Sequence, residues 1–499
     1  MDKSYRPWTP NQSYLLPPSP RDWLPEDHLA LFLLDVVHEL DLSAIEAKLQ
    51  AKDHRGTRPY NPAMMLTLLF LAYCTGMASS RKIERATWED LGFRVIAGEL
   101  HPDHTSISEF RREHLVELKA LFKQVLLLCR EAGLVKLGHV ALDGTKEQAN
   151  ASKHKAMSYK RMKETERRLQ QEVEALMREA ETVDASEDAK YGKGKRGDEL
   201  PGDLARRETR LQKIREAKAQ LEAEAAAVRA QELAERAEEQ KRKAESAEAS
   251  ERAKLERAAK RAEQRAKAAA DKAATKATEA GLSEPVLVQA PDGLPSHRVK
   301  ANAKGDPKPK AQRNFTEPES QIMKSGGAFV QAYNCQAAVD DECQIIVAEA
   351  VTNQAPDCEH LEPMLDLIEK NTDQLPKVFT ADTGYFSVDN VAKCEARGID
   401  AYIPPQRAKH GTTPAPSAAP TDSTDAKATM RSKLNSKAGR ANYAKRKGIV
   451  EPVFGQIKGA QRFRRFSMRG LEKARGEWSF VCTTHNLLKL WRSRRSRAR

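Results

Sequence analysis

Apolar residues recur at helical spacing through the first quarter of the chain. HLALFLLDVVHELDLSAIEAKLQ shows the pattern first. NPAMMLTLLFLAYCTG opens with a proline behind Asn61 and closes at Gly76, and HTSISEFRREHLVELKALFKQVLLLCREAG predicts a third long helix with a Ser106/Glu109 capping box at its start. At about residue 136 the period changes. GHVALDG is a short apolar run between turn residues, which predicts a strand ending at Asp143. From about 157 to 282 Ala, Glu, Lys, Arg and Gln dominate. Leu169, Val173, Leu176 and Ala180, then, after the helix-breaking YGKGKRGDELPGD, Leu211, Ile214, Ala217, Leu221, Ala225 and Val228, predict an antiparallel helical hairpin. Beyond Val228 the stripe nearly vanishes, which fits either a charged solvated helix or a disordered stretch.

Strands return after about 328. FVQAYNCQAAVD and CQIIVAEAVT flank an acidic turn, CEHLEPMLDLIEKN predicts a helix, KVFTAD a strand, SVDNVAKCEARG a helix and DAYIPP a last strand. TTPAPSAAPTDSTD is low-complexity. With the insert removed the order is β-β-β-α-β-α-β-α, three antiparallel strands followed by two parallel ones. The predicted class is α+β, multidomain: a helical N-terminal domain (1–135), the first strand of a ribonuclease H-like mixed sheet (136–156), a charged helical insertion with its linker (157–300), the rest of the sheet (301–407), a disordered linker (408–429) and a C-terminal basic helical region (430–499).

The net charge of +13 fits a polyanionic partner, nucleic acid before a membrane surface. Seven cysteines, none at C-x-x-C spacing, argue against a zinc site and for reduced thiols. No signal peptide and no bilayer-length apolar run is present, so a soluble intracellular protein is expected.

Two carboxylates share a sequence shape. Asp143 in VALDGT and Asp382 in VFTADTGYFS each end an apolar strand and are followed by a small polar residue and glycine in either order. Singly, each reads as a turn or cap residue. In the predicted order the first and fourth strands are neighbours, so the two acids converge and repel unless a cation lies between them. A third oxygen ligand is expected from RKGIVEPVFGQIKGAQRF, where Glu451 and Lys458 lie two helical turns apart on one face. No H-E-x-x-H and no P-loop motif occurs.

ALDGT, TADTGYFS and the Tyr443, Arg446, Glu451, Lys458 element of NYAKRKGIVEPVFGQIK together resemble the DDE-type transposases of bacterial insertion sequences. RPYNPAMMLTLLFLAYCTGMASSRKIERATWEDLGFRVIAGELHPDHTSISEFRREH resembles an InsH-like N-terminal domain. The resemblance implies that Asp143, Asp382 and Glu451 hold two Mg²⁺ ions (Mn²⁺ substituting) roughly 4 Å apart, for hydrolysis at transposon ends and transfer of the freed 3′-OH to target DNA. It also implies DNA contacts by Tyr443, Arg446 and Lys458. The family has three residues between its arginine and glutamate. Here that spacing belongs to Lys447, and Arg446 has four, so either could be the contact. Arg462, Arg464 and Arg465 in the tail QRFRRFSMRG suit phosphates. SSRKIERA and HTSISEFRREH read as a helix-turn-helix for the inverted repeats or as ordinary bundle helices. The hairpin could meet DNA, a second protomer, or nothing. Expected partners are double-stranded DNA and a second copy in a synaptic homodimer, in a bacterial cytoplasm at the nucleoid. A ribonuclease H-like nuclease without transposition and an inactive DNA-binding protein are the competing readings.

Overall fold

The computed structural model describes residues 19–51, 58–191, 202–282, 293–406 and 425–498. Most of the predicted turn at 191–203 and the predicted linker up to 424 lie outside the described residues. The described residues hold eight strands: β1 (His139–Gln148), β2 (Ala156–Ser158), β3 (Gln312–Asn314), β4 (Gln321–Ser325), β5 (Ala328–Asp340), β6 (Ile346–Thr352), β7 (Val378–Ala381) and β8 (Asp400–Tyr402). Seven helices precede them: α1 (Leu29–Glu39), α2 (Ser43–Gln50), α3 (Pro62–Cys74), α4 (Ser80–Glu89), α5 (Leu91–Ala97), α6 (His104–Glu113) and α7 (Leu115–Glu131). The insertion supplies α8 (Tyr159–Tyr191), α9 (Gly202–Glu245) and α10 (Ala249–Glu279). Then follow α11 (Leu361–Thr372), α12 (Val388–Ala396), α13 (Ala426–Asn435), α14 (Lys437–Gly459) and α15 (Leu471–Ala498).

The main sheet is mixed. β1 lies at its centre, antiparallel to β5 and parallel to β7, and β8 extends the sheet parallel to β7. On its other edge β5 pairs with β4 through residues 328–332 and with β6 through residues 334–339, so two strands share one edge end to end. The predicted sequence of three antiparallel strands and two parallel ones is present, with β4 added.

A continuous apolar core runs from Leu29 to Leu490 and joins the N-terminal helices to the sheet through α15. Trp478 is fully buried there, and the Phe480 ring stacks on Phe70 at 5.1 Å and meets Tyr73 edge-on at 4.9 Å. Arg111, from the EFRREH stretch, is buried and donates to the Tyr73 hydroxyl and the Ala78 carbonyl. It belongs to this packing and presents no charge to a DNA groove.

Four sequence expectations change. The Asp143 strand does not end at Asp143: β1 runs five residues further because the long β5 keeps pairing with it as far as Gln148↔Ala332. The third predicted helix is two, broken at His114, and its cap is Asp103, which accepts from the Thr105 and Ser106 amides, rather than Ser106. The described residues of the insertion form three helices rather than a hairpin, with α10 packed along α9. Small side chains such as Ala226, Ala244, Ala273 and Ala277 are buried along these helices, so close approach takes over where the large apolar stripe ends. Finally, α13 starts at Ala426, inside the stretch expected to be linker.

The insertion has its own core of Met162, Leu169, Val173, Leu211, Ile214, Leu221 and Val299. β2 and β3 pair antiparallel at its neck, joining its two ends.

Candidate active site

Parallel pairing of β1 with β7 stops at Leu142↔Ala381. Asp143 and Asp382 are the next residue along the chain from each partner, so the two acids stand side by side where the parallel ladder ends. Asp143 Oδ1 accepts from the Gly144 amide at 2.8 Å, and Oδ2 accepts from Arg446 Nη1 at 2.9 Å. Burial pushes the Asp143 carboxyl upward, the Arg446 guanidinium opposes this, and the Asp382 charge adds to the rise. Asp382 caps the short turn Thr383–Tyr385 and accepts from the Gly384 amide at 2.8 Å.

Arg446 comes from the buried face of α14, together with Ile449, Val450, Val453 and Ile457. Its guanidinium lies 5.9 Å from the centre of the Tyr443 ring, and burial raises the Tyr443 hydroxyl. Lys447 is exposed, so of the two candidate bases Arg446 faces the acids and Lys447 faces solvent. Glu451 is also exposed. Five residues on an α-helix turn it through about 140°, so a helix that aims Arg446 at Asp143 carries Glu451 away from it. Among the described residues no three acidic, histidine or cysteine side chains come together as an ion-binding group. The oxygen donors of Asp143 and Asp382 suit a hard divalent cation. In this arrangement the third donor is not beside them, and the nearest positive charge is Arg446.

Lys458 meets β1 two to four residues beyond Asp143. Its Nζ donates to Thr145 Oγ1 at 2.5 Å and is 3.0 Å from the buried Glu147 carboxylate. Arg462 is exposed and packs its stem over Gly76, and Arg464 donates to the Lys458 carbonyl. Arg465 bridges to the end of β1 beside Gln148 and donates to Asn150 Oδ1 at 2.8 Å.

One site residue has no counterpart in the sequence reading. Asp357, from NQAPDCEH, sits behind the two aspartates and accepts from Lys146 Nζ (2.8 Å), Asn334 Nδ2 (2.7 Å) and Gln336 Nε2 (2.9 Å). Tyr385, fully buried, donates to Gln336 Oε1. This network explains Gly144. A Cβ there would stand 2.5 Å from Gln336 Nε2 and 3.1 Å from Asp357 Oδ1. The only trace of it in the sequence is the run of buried amides Asn334 and Gln336 inside an otherwise apolar strand, where polar groups need partners.

Two family models match the chain. One, described as a transposase DDE domain, matches residues 298–487, and the other, described as a transposase domain, matches residues 18–113. The chain is a DDE-type transposase. Both matches leave out β1 and most of the insertion, so the strand carrying Asp143 is tied to the matched region by its pairing with β5 and β7. No curated protein and no solved structure matches the transposase. Among its described residues no helix is long and apolar enough to cross a membrane.

Proposed function

We propose that this transposase binds the terminal inverted repeats of an insertion sequence as a homodimer in the bacterial cytoplasm, cleaves the DNA strand there and joins the freed 3′ end to a target. The sheet serves as a ribonuclease H-like platform. The observation that carries this reading is the side-by-side placement of Asp143 and Asp382 at the end of the β1–β7 ladder, within a chain of the DDE class.

Asp143 and Asp382 would hold divalent magnesium, with Glu451 of α14 as third carboxylate. Bound there, the metal supplies Lewis-acid stabilisation of the phosphodiester oxygens and lowers the pKa of an attacking water. The protein's own groups do the rest. Arg446 neutralises Asp143 while the pair of acids is otherwise uncompensated. Lys458, Lys447, Tyr443 and Arg465 position terminal phosphates along β1, with Arg462 and Arg464 on the same stretch. The Asp357 network packs against Gly144 and Gly384, whose amides bond to the two aspartates.

The test is strand cleavage and strand transfer on duplexes carrying the element's ends, with Mg²⁺. Asp382→Asn and Glu451→Gln should each lose cleavage by more than about 100-fold, since even outer-shell partners of a metal site cost 10–100-fold, while DNA binding persists. Full activity in Asp382→Asn would remove the assignment.

A further inference from the structure

At the neck of the insertion, where α9 passes over the β2–β3 pair, an open cleft of about 590 Å³ is lined by Lys155, Arg161, Arg206, Arg210, Lys213 and His154. Among the described residues no carboxylate lines it. Its floor is apolar or hydroxylic, from Met157, Ile214, Phe315, Thr209 and Thr316.

The charges on α9 are sorted by face. Those turned toward α8 are paired: Arg207 with Glu172, and Arg215 and Lys218 with Glu166, at 2.6–3.4 Å. Arg210 and Lys213, one helical turn apart, face the cleft. They and Arg161, on the opposite wall, have no acidic partner among the described residues. Concentrating like charges on one wall costs repulsion that solvent and counterions screen only in part, and a polyanion relieves it.

The cleft is firmly held. The Phe315 amide donates to the Lys155 carbonyl at 3.1 Å, Asn314 Nδ2 donates to the Ser152 carbonyl, and Ile214 is buried in the insertion's core. It also continues the candidate active site. β1 carries the chain from Asp143 to Gln148, about 17 Å along an extended strand, and Lys153, His154 and Lys155 come directly after it. Arg465 and Arg469 bond to Asn150 on the way. From Asp143 to Lys155 the chain could span at most about 40 Å, little more than one turn of a DNA duplex, which is about 34 Å.

We infer that this cleft is a second docking site for the phosphate backbone of DNA, holding the duplex whose end lies at Asp143. The inference rests on the transposase reading above. Its chemistry is charge neutralisation of phosphates without base readout, with release of condensed counterions.

The test uses the full chain, a duplex of about 30 base pairs of arbitrary sequence, and affinity measured across a salt series. Arg210→Gln/Lys213→Gln should bind about tenfold or more weakly near 0.1 M salt, and its log–log salt slope should be shallower by about 2, roughly 0.9 for each phosphate no longer neutralised. Lys155→Gln, on the other wall, should make the slope shallower by about 1. Arg207→Gln/Arg215→Gln removes the same charge from the paired face of the same helix and should keep the wild-type slope. Three results overturn the cleft while leaving the transposase reading intact: a wild-type slope in the cleft variants, an equal loss in the paired-face variant, or a change confined to oligomeric state, which would mark an interface with a second copy. A wild-type chain that binds no duplex would overturn the transposase reading and the cleft together.

Discussion

At the scale of single residues, the site depends on a missing methyl group. Gly144 lies against Gln336 and Asp357 with no room for a Cβ. Gly144→Ala should destabilise the protein by about 1–3 kcal/mol through overpacking of a hydrogen-bonded network and lower cleavage along with it, read by denaturant unfolding beside activity. Gly138→Ala, at the approach to β1, meets nothing within 4 Å and should leave both unchanged. A second residue-scale expectation concerns acid. His485 is fully buried, its ring hydrogen-bonded to the Gln344 carbonyl, and burial holds its pKa down to about 3. His360 is held to about 4 by the same cause. Above the ordinary histidine value near 6.5 both states are neutral and nothing is gained or lost. Below it the unfolded chain takes up protons that the folded one refuses. Stability should therefore fall as pH drops from about 6 to 4, by about 1.4 kcal/mol per pH unit per histidine. His485→Gln should remove one histidine's share of that slope in urea titrations at successive pH values, and a slope equal to wild type would refute it.

At the scale of elements, α14 matters most. Its Arg446 pairs with Asp143 of β1, both largely enclosed, and cutting the pair leaves a charge without its partner. Arg446→Gln should cost about 1–3 kcal/mol, less than the ~3–5 of a wholly buried pair because the site is open on one side. Adding Asp143→Asn should restore most of it, and a double-mutant cycle with no coupling would show that the ion pair contributes little. The same helix shows what the sequence could and could not reveal. The strands at 328–340, 346–352, 378–381 and 400–402, and the helices between them, were legible because each has a clear period and turn residues at its ends. Asp143 and Asp382 were legible as a pair because two strands repeat one shape. The rotational setting of α14 was not. It is fixed by Ile449, Val450, Val453 and Ile457 packing on the sheet, and those positions offer more than one apolar stripe when read without a partner surface. Asp357 was invisible for a related reason: an aspartate ahead of a helix reads as a cap until the amides of another strand are seen to reach it.

At the scale of the molecule, two cores divide the work. The insertion is built on its own apolar cluster and leaves the sheet through the β2–β3 neck. Replacing residues 160–310 with Asn-Gly, a turn suited to a two-residue hairpin, should leave a chain that still unfolds cooperatively. It should lose no more than about 3 kcal/mol, the scale of one large buried side chain, because Leu294 is the insertion-side residue that enters the main core. Loss of cooperative unfolding, followed by circular dichroism, would mean that the two cores are not independent.

The neck also bears on how the chain folds as it is made. β1 ends at Gln148 and its first partner, β5, begins at Ala328. At a synthesis rate of about 5–20 residues per second the central strand waits roughly 10–40 s before the strand that covers it emerges. Helices form in far less time than that, so the insertion can assemble during the wait. When β3 arrives and pairs with β2, the search for β5 becomes that of a short loop rather than one of about 180 residues, which lowers its closure entropy. The insertion thus serves the ribosome-bound chain as a timed clasp. The strand bearing Asp143 is held beside the place where its partner will appear.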